Sequence, residues 1–288
     1  MDILLAEYAS VLFPRLAEEG EAMLISLKEG FQRCGHIVHV PKCRSGDVDD
    51  YYNQIRRLAR CCDAGLVIAP DDILGDLTEV VEQHTTNLGC PADSVRRAAD
   101  KLNASLTLLS GSLTVPEINP LKGPYVLKPR CGSGSDGIKV VEAFDTNRVD
   151  KDTLVLKFVP GDHISVSLIV GSTVLPLSIN KQHVRIDNEI RYLGNTTPYA
   201  VPNPGAVKNQ AARAAQLLGC KGYVGVDIVL EPSGVVNVVD VNPRPTTAIV
   251  SINKVIGNVA DLILKARLGR ELPELLKPQG THTFRSDN

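Results

Sequence analysis

The sequence predicts an α/β domain followed by a mixed α+β region, and three observations carry that prediction. Over residues 1–90, short apolar runs alternate with amphipathic stretches of helical length. After Pro116 the apolar runs are separated by Gly, Pro and Asp, which is typical of successive β-strands. The length of 288 residues, with 43% hydrophobic and 22% charged residues, suits a globular chain of about two domains.

The N-terminal part reads as β-α-β-α-β-α. Gly35 ends the first helix, and Pro70 with Asp71 closes the third strand. This order implies a parallel sheet with helices packed on it. No Gly-x-Gly-x-x-Gly motif follows the first strand, so the unit does not fit a dinucleotide-binding half. The predicted strands are 3–5, 36–40 and 65–69, and the predicted helices are 18–31, 49–60 and 77–88.

The C-terminal part begins after a boundary at residues 87–91. A helix is expected over 93–109, with Asp93 as its N-cap. The turn at 232–234 joins two further strands, and residues 281–288 are expected to form a loose tail. The other predicted strands are 125–128, 138–141, 153–156, 164–170, 224–230 and 235–241, and the other predicted helices are 206–218 and 255–267.

Charge, hydropathy and cysteine content exclude several classes of protein. The formal charge of −2 gives no broad basic face for nucleic acid or an anionic membrane. Asp2 and Glu7 lie where a secretion signal would need basic residues, and the sequence has no run of about 18 apolar residues. Seven Cys, none spaced Cys-x-x-Cys, indicate reduced thiols in a cytoplasmic protein. None of the six His is assigned to a metal.

A glycine-rich loop stands between two predicted strands. Residues 132–137 read Gly-Ser-Gly-Ser-Asp-Gly, but a strand follows, so neither a dinucleotide site nor a P-loop fits. Such a hairpin tip can close over phosphates, because no side chains block its backbone N–H groups. Lys128, at the end of the preceding strand, would add an ammonium group. A plain mobile hairpin is the alternative, and a kinase is excluded because His-Arg-Asp and Asp-Phe-Gly are absent. The nucleotide-binding residues predicted in the loop are Gly132, Ser133, Gly134 and Ser135.

The two apolar strands around the 232–234 turn each carry one aspartate. A two-residue or four-residue loop would place Asp227 opposite Asp240, whereas a three-residue loop would put Asp240 on the other face. In the first register Asn242 shares their face. Paired carboxylates are unfavourable unless a cation lies between them, and with an amide oxygen they suit Mg²⁺. The alternative is a solvated edge hairpin with a repelled or protonated pair. Arg244 could hold a carboxylate or phosphate, or form a surface ion pair.

The order of these motifs resembles the ATP-grasp superfamily of carboxylate–amine ligases. A lysine and a glycine flap come first, apolar strands follow, and a hairpin ends with Asp-Val-Asn-Pro-Arg at 240–244. The resemblance covers about residues 93–265. It implies a pre-ATP-grasp α/β domain followed by a two-subdomain α+β ATP-grasp fold. The implied parts are a pre-ATP-grasp domain at 1–92, a small subdomain with the glycine flap at 93–155, and a large subdomain with the metal hairpin at 156–288.

The same resemblance implies roles for single residues around ATP. Lys101 resembles the first nucleotide lysine, and Lys128 resembles the lysine on the α- and β-phosphates. Asp162 stands near the position of the ribose-binding acid. The interdomain hinge that contacts adenine corresponds to Lys157, Phe158 and Val159, although Glu commonly precedes the aromatic residue there.

Metal and catalytic roles are implied in the same way. Asp227, Asp240 and Asn242 match the metal positions, for Mg²⁺ or Mn²⁺, although Glu is more common where this chain has Asp240. Arg244 matches the arginine that holds the transferred phosphate or the substrate carboxylate. Lys181 is a second catalytic candidate. It lies in a polar stretch with Asn180 and Arg191, for which ordinary loop polarity is the alternative.

Four segments, 18–24, 177–182, 222–227 and 242–247, resemble the tyramine–glutamate ligases of methanofuran biosynthesis. This implies small-molecule substrates: ATP, L-glutamate, and an aromatic amine such as tyramine or tyrosine. The expected reaction forms an amide through an acyl phosphate. The alternatives are an ATP-grasp ligase acting on another amino acid or a peptide, and a non-catalytic ATP-binding module. A homodimer is left open, and no nucleic-acid or membrane partner is expected.

Overall fold

We describe the fold from a computed structural model of the chain. The structure describes residues 1–43, 46–132, 137–145 and 149–286. Three predicted flap residues, Ser133, Gly134 and Ser135, lie outside these ranges. Among the helices within them, none is both long and apolar enough to cross a membrane.

A parallel sheet with helices on both faces forms the N-terminal domain, as the sequence predicts. Its elements are β1 (Asp2–Glu7), α1 (Ala9–Leu12), α2 (Ala17–Arg33), β2 (Ile37–His39), α3 (Val48–Ala59), β3 (Ala64–Ile68), α4 (Asp71–Glu82) and β4 (Thr86–Asn87). The strand order is β2-β1-β3-β4. Ile3, Leu4 and Leu5 are all fully buried, because helices cover both faces of the central strand. Ligands bind to such a sheet at the carboxyl ends of its strands, and Glu7 lies at this edge.

The helix predicted over 77–88 is wrong at both ends. It begins at Asp71, because Pro70 occupies the N-cap position and Asp71 and Asp72 supply an acidic first turn. It ends at Glu82, after which β4 pairs in parallel with β3. The periodic apolar residues thus marked the middle of the helix but neither of its ends.

Two helices and a small antiparallel sheet form the middle of the chain. They are α5 (Ala92–Ala99), α6 (Lys101–Ser110), β5 (Tyr125–Pro129), β6 (Lys139–Val141) and β7 (Thr153–Lys157), with the strand order β6-β5-β7. The single helix predicted over 93–109 is wrong, because the extended backbone at Asp100 divides it. The Asp100 side chain accepts a hydrogen bond from the Asn103 N–H and begins the second helix. Pro91, rather than Asp93, occupies the N-cap position of the first.

A six-stranded antiparallel sheet covered by helices forms the rest. Its elements are β8 (Asp162–Val170), β9 (Val174–Ile186), β10 (Ile190–Thr197), α7 (Pro204–Leu217), β11 (Gly222–Leu230), β12 (Val236–Asn242), α8 (Ala248–Val255), α9 (Val259–Arg267) and β13 (His282–Arg285). The strand order is β12-β11-β8-β9-β10-β13. The closing helix predicted over 255–267 begins later, at Val259, because Gly257 adopts a φ of +102° after the end of α8, a helix that the sequence did not predict.

The expected loose tail at 281–288 is a strand in its described part. β13 pairs antiparallel with β10, so that Arg285 faces Gly194. The ring of His282 lies 3.0 Å from the Ser251 hydroxyl, and the Ser286 hydroxyl donates to Glu19 at 2.8 Å. These contacts attach the C-terminal strand to both the large sheet and the N-terminal domain.

The hairpin of β11 and β12 contains both a three-residue loop and a β-bulge. Glu231 donates its N–H to the Val235 carbonyl at 3.0 Å, which leaves three residues in the loop. With a regular ladder this loop would set Asp227 opposite Val239. The bulge at Val239 inserts one residue, and Asp227 instead lies opposite Asp240. The paired register that the sequence left open is therefore present, although the loop has the length that argued against it.

The hydrophobic core runs across the predicted boundary at residue 92. One cluster joins Leu27 of α2 to Ile249 of α8 and Ile263 of α9. The other joins Leu77 of α4 to Val226 of β11. Because the N-terminal domain and the large sheet share both clusters, they pack as one body around the carboxyl edge of the parallel sheet. The domain limits at 92 and 155 stay predictions.

Candidate active site

A cleft of about 760 Å³ opens where the three parts of the chain meet. Its walls come from the carboxyl ends of β1 and β3, from the small sheet and the hinge after β7, and from one face of the six-stranded sheet. This volume lies in the range of pockets that bind small molecules. The predicted site residues that line it are Lys101, Lys128, Gly132, Lys157, Phe158, Val159, Asp227, Asp240, Asn242 and Arg244.

The hinge forms one end of the cleft. The backbone N–H of Lys157 donates to the Glu117 carbonyl and that of Phe158 donates to the Pro124 carbonyl, each at 2.9 Å. Both carbonyls belong to the segment before β5. His163 and Val229, which face each other in the ladder of β8 and β11, also line the cleft. Burial lowers the pKa of His163, so its imidazole is neutral at pH 7. An aromatic ring, an aliphatic side chain and a neutral imidazole make this end suitable for a planar ring.

Two buried lysines reach the cleft from the middle part of the chain, Lys101 from α6 and Lys128 from β5. Lys128 Nζ lies 2.9 Å from Asp240 Oδ2 and donates to the carbonyl of the bulge residue Val239 at 3.1 Å. Lys101 donates to the carbonyl of Gly132, the first residue of the glycine loop. Burial disfavours the charged form of Lys101, but nearby carboxylates outweigh this and raise its pKa. Both ammonium groups are therefore available beside the predicted phosphate position.

The two aspartates of the hairpin face each other on the wall beside these lysines. Asp227 accepts hydrogen bonds from Gln182 Nε2 at 2.8 Å and from Asn242 Nδ2 at 3.0 Å. Burial, and next the charge of Asp240, raises the pKa of Asp227 to about 6. Burial also acts to raise the pKa of Asp240, but two neighbouring ammonium groups outweigh it and hold that pKa below its ordinary value. The two carboxylates thus have different environments although they are opposite each other.

The acid pair fits a divalent cation. The raised pKa of Asp227 means that hydrogen bonds alone do not compensate its buried charge, and a cation between the carboxylates would do so. Asp227 and Asp240 offer hard oxygen donors, and Asn242 would offer its Oδ1 after rotation of its amide. No group of three His, Cys, Asp or Glu able to hold a metal occurs in the described part of the chain. Ligand phosphates and water would therefore complete the shell.

Arg244 lies at the other end of the cleft, against the N-terminal domain. Its Nε is 3.2 Å from Asp71 Oδ1, and its Nη1 donates to the Pro245 carbonyl at 3.3 Å. Glu7, at the carboxyl end of β1, accepts hydrogen bonds from the backbone N–H groups of Ala9 and Ser10. Burial raises the pKa of Glu7, although these bonds and the Arg244 charge oppose it. This end of the cleft carries one guanidinium and two carboxyl groups, and the guanidinium is suited to bind an anionic group.

The structure does not bring two predicted site residues to the cleft. Lys181 Nζ lies 2.7 Å from Asp162 Oδ1, and the Tyr199 hydroxyl donates to Asp162 Oδ2 at 2.9 Å. Lys181 is opposite Ile164, on the sheet face that packs on α7. Successive side chains of a strand point to opposite faces, so the next residue, Gln182, faces the cleft. The predicted catalytic role of Lys181 and ribose role of Asp162 therefore disagree with the geometry.

Sequence reasoning missed three residues around the cleft. Gln182 was hidden because the polar stretch that contains it was not recognised as a strand with alternating faces. Glu7 and Asp71 follow the first and third parallel strands, and residues at the carboxyl ends of such strands gather at one edge of a sheet. That rule was the available signal for both.

Much of the cleft is formed by a segment that also matches a known family. A sequence profile of the ATP-grasp domain matches residues 98–248, more than half of the chain. The chain belongs to the ATP-grasp family. A profile of the pre ATP-grasp 3 domain matches residues 35–95, which agrees with the predicted order of an α/β domain before the ATP-grasp fold. This family uses ATP, in general with Mg²⁺, and acts on small molecules.

Two curated ATP-grasp relatives are tyramine–L-glutamate ligases. The protein from Methanocaldococcus fervens is 33% identical over 214 residues, which cover 73% of this chain and 68% of the relative. The protein from Methanocaldococcus jannaschii is 31% identical over 214 residues, which cover 73% and 64%. The chain therefore matches about two thirds of the length of these relatives.

Solved structures share the ATP-grasp fold over almost the whole chain. A crystal structure of an ATP-grasp superfamily protein from Archaeoglobus fulgidus superposes with a TM-score of 0.77 at 28% identity, covering 99% of this chain and 92% of that one. N5-carboxyaminoimidazole synthetase from Staphylococcus aureus, complexed with ADP, superposes with a TM-score of 0.75 at 15% identity, covering 97% and 80%. At that identity the likeness concerns the fold alone.

Proposed function

We propose that this chain is an ATP-dependent carboxylate–amine ligase that forms an amide through an acyl phosphate. One observation carries the proposal: two buried lysines, a paired set of aspartates and a half-buried arginine converge on a single cleft. Cations on one side suit a triphosphate, and the acid pair suits the divalent cation that accompanies it. The two curated relatives support glutamate as the acid and tyramine, or a related aromatic amine, as the acceptor.

Nucleotide binding follows from the two ends of the cleft. Adenine would lie at the hinge, against Phe158, Val159 and His163. The triphosphate would extend toward Lys128 and Lys101, whose ammonium groups compensate its charge. The Gly132 carbonyl accepts a hydrogen bond from Lys101, so the first residue of the glycine loop is attached to a lysine of the proposed phosphate site.

The reaction consists of two displacements. A carboxylate oxygen of the acid attacks the γ-phosphorus of ATP, the bond to the ADP oxygen breaks, and an acyl phosphate forms. The amine nitrogen then attacks the acyl carbon, inorganic phosphate leaves, and the nitrogen loses a proton to give the amide. Arg244 would hold the transferred phosphoryl group, because it reaches the cleft at the end opposite the hinge. The protein contributes positioning and charge, with no covalent bond to a side chain.

A divalent cation would be held by Asp227, Asp240 and Asn242, and Mg²⁺ or Mn²⁺ suits these oxygen donors. When bound, it lowers the repulsion among the phosphate oxygens. Lys128 would then exchange its present contact with Asp240 for a phosphate oxygen. A homodimer and a cytoplasmic location stay predictions from the sequence.

A different acid or acceptor is the second candidate. D-alanine–D-alanine ligase from Ectopseudomonas mendocina is 26% identical over 136 residues, or 42% of this chain. That similarity supports ligation of two amino acids by the same cleft.

The test measures ADP release and product mass with ATP, MgCl₂, glutamate and tyramine, and then with other amino acids as acid or acceptor. We expect Mg²⁺-dependent ADP release with an amide product. Asp240→Asn and Asn242→Ala should each lower the rate by at least about a hundredfold. Asp187→Asn, which removes a solvent-exposed carboxylate, should leave it unchanged. Nucleotide binding without ADP release for any pair would contradict a ligase and indicate a binding module.

A further inference from the structure

Asp71 is a buried carboxylate that belongs to the N-terminal domain and lies behind the cleft. It is the first residue of α4, directly after Pro70, and only 4% of its side chain is exposed. Pro70 lines the cleft, whereas Asp71 is absent from the lining. Asp71 therefore reaches the reaction through other residues and not by touching a substrate.

The two Asp71 oxygens contact two cations from different parts of the chain. Oδ1 lies 3.2 Å from Arg244 Nε, after β12 in the large subdomain. Oδ2 lies 3.6 Å from Lys101 Nζ, at the start of α6 in the small subdomain. Both cations line the cleft and are mostly buried, with 13% and 6% of their side chains exposed. One carboxylate thus connects all three parts of the protein at this point.

These contacts fix the direction of Arg244. Its Nε is occupied by Asp71, and its Nη1 donates to the Pro245 carbonyl. Among the residues that the structure describes, the Nη2 group has no hydrogen-bond partner. A guanidinium held at two of its nitrogens leaves the third for an oxygen of a ligand, in a fixed orientation.

The same carboxylate reduces the positive charge near the triphosphate. Arg244 and Lys101 would repel each other in a poorly solvated place without an anion between them. The negative charge that holds them also opposes an incoming polyanion. Asp71 therefore helps the reaction by positioning the two cations, but it weakens their attraction for the triphosphate. Replacing Asp71 should change these two effects in opposite directions, so that they can be measured separately.

We propose that Asp71 is a positioning residue for the ligase reaction, which holds Arg244 and Lys101 in place from the N-terminal domain at the expense of nucleotide attraction. This inference rests on the proposed function, because Arg244 acts there on the transferred phosphoryl group. It adds a residue from the N-terminal domain to a machinery otherwise contributed by the two ATP-grasp subdomains.

The experiment compares Asp71→Asn with Asp72→Asn. Asp72 carries the same charge in the same first turn but is exposed. In Asp71→Asn we expect the rate of ADP release to fall about thirtyfold, because a charge-assisted hydrogen bond is lost. We expect binding of the ATP analogue AMP-PNP with MgCl₂ to become about three- to tenfold tighter, because a buried negative charge is removed. Asp72→Asn should stay within about twofold for both quantities.

A double-mutant cycle identifies the residue through which Asp71 acts. In an Arg244→Gln background, Asp71→Asn should lower the remaining rate by clearly less than thirtyfold, because only the contact with Lys101 is left to lose. A full additional loss would overturn the proposal. So would an Asp71→Asn variant that binds AMP-PNP no more tightly than wild type, since a general loss of structure weakens binding and rate together.

Asp71→Glu covers the case in which the Asn variant does not fold. It keeps the charge and displaces the carboxylate, so AMP-PNP affinity should stay within about twofold while the rate falls at least about fivefold. Glu at this position with a wild-type rate would overturn the proposal. If wild-type protein releases no ADP with any acid and amine, the proposed function fails, and the AMP-PNP comparison still tests whether the Asp71 charge opposes nucleotide binding.

Discussion

Replacing Asp227 by Asn should stabilise the metal-free protein at alkaline pH. Its pKa is about 6 in the folded chain, against an ordinary value of 3.8. The folded state therefore binds this proton more tightly than the unfolded chain, so the carboxylate costs stability as the pH rises from about 4 to 6, and the cost persists above that range. The difference corresponds to about 3 kcal/mol as an upper bound. Because Asn242 must rotate its amide to bond the new side chain, we expect a gain of about 1–2 kcal/mol at pH 8.

The assay is urea unfolding with EDTA present, at pH 8 and again at pH 4 for both proteins. The gain should be present at pH 8 and absent at pH 4. Asp162→Asn is the matched control with the opposite sign, because hydrogen bonds from Lys181 and Tyr199 lower the pKa of Asp162 and make its carboxylate stabilising. MgCl₂ should stabilise wild-type protein at pH 8 but not Asp227→Asn. Equal free energies of unfolding for the Asp227→Asn and wild-type proteins at both pH values would show that ionisation of Asp227 does not destabilise the folded chain.

Three further substitutions test other features of the molecule. Gly20→Ala would place its Cβ in steric overlap with the Glu7 carboxylate, so thermal unfolding should reveal a loss of about 1–3 kcal/mol. Gly205→Ala in α7 is the control, because its Cβ would make only an ordinary 3.8 Å contact with Asn203 Oδ1, and it should be neutral or gain up to about 1 kcal/mol. Lys181→Ala should keep the rate of ADP release within about threefold, because the Lys181 ammonium group lies on the sheet face away from the cleft. A loss above a hundredfold would show that Lys181 acts in the reaction. Deleting residues 281–288 should lower the Tm by at least about 3 °C in differential scanning fluorimetry, because an edge strand and its contacts are removed.

The fold could be predicted where the apolar periodicity and the turn-forming residues indicate the same element boundaries. The parallel sheet and the β11–β12 hairpin follow from apolar runs bounded by Gly, Pro and Asp. The errors arose where one local signal outweighed the pattern. Asp100 divides an otherwise continuous helical pattern by capping its second half, and the positive φ of Gly257 delays the start of the closing helix to Val259. The C-terminal strand could not be predicted because it is ordered by pairing with β10, which is distant in sequence.

The site could be predicted only in part, for a physical reason. Lys128 and the acid pair occupy strands whose faces are set by alternation, and resemblance to a family supplied their roles. The sequence indicated Lys181 and not Gln182, because polarity alone does not reveal which face of a strand a residue occupies. Asp71 and Glu7 reach the cleft only through packing of the N-terminal domain on the large sheet, and that packing follows from tertiary contacts.

The bulge at Val239 has a consequence for how this chain tolerates insertions and deletions. Surface turns normally accept a change of one residue, but the alignment of the two aspartates is counted outward from the turn at 232–234. If the turn keeps three residues, loss of one residue there would shift β12 by one position, and the two aspartates would stay opposite each other only if the bulge at Val239 became a regular ladder. A shortened turn should therefore occur together with a regular ladder at Val239, so that a small irregularity in the backbone ties the evolution of an exposed loop to the pairing of the two aspartates.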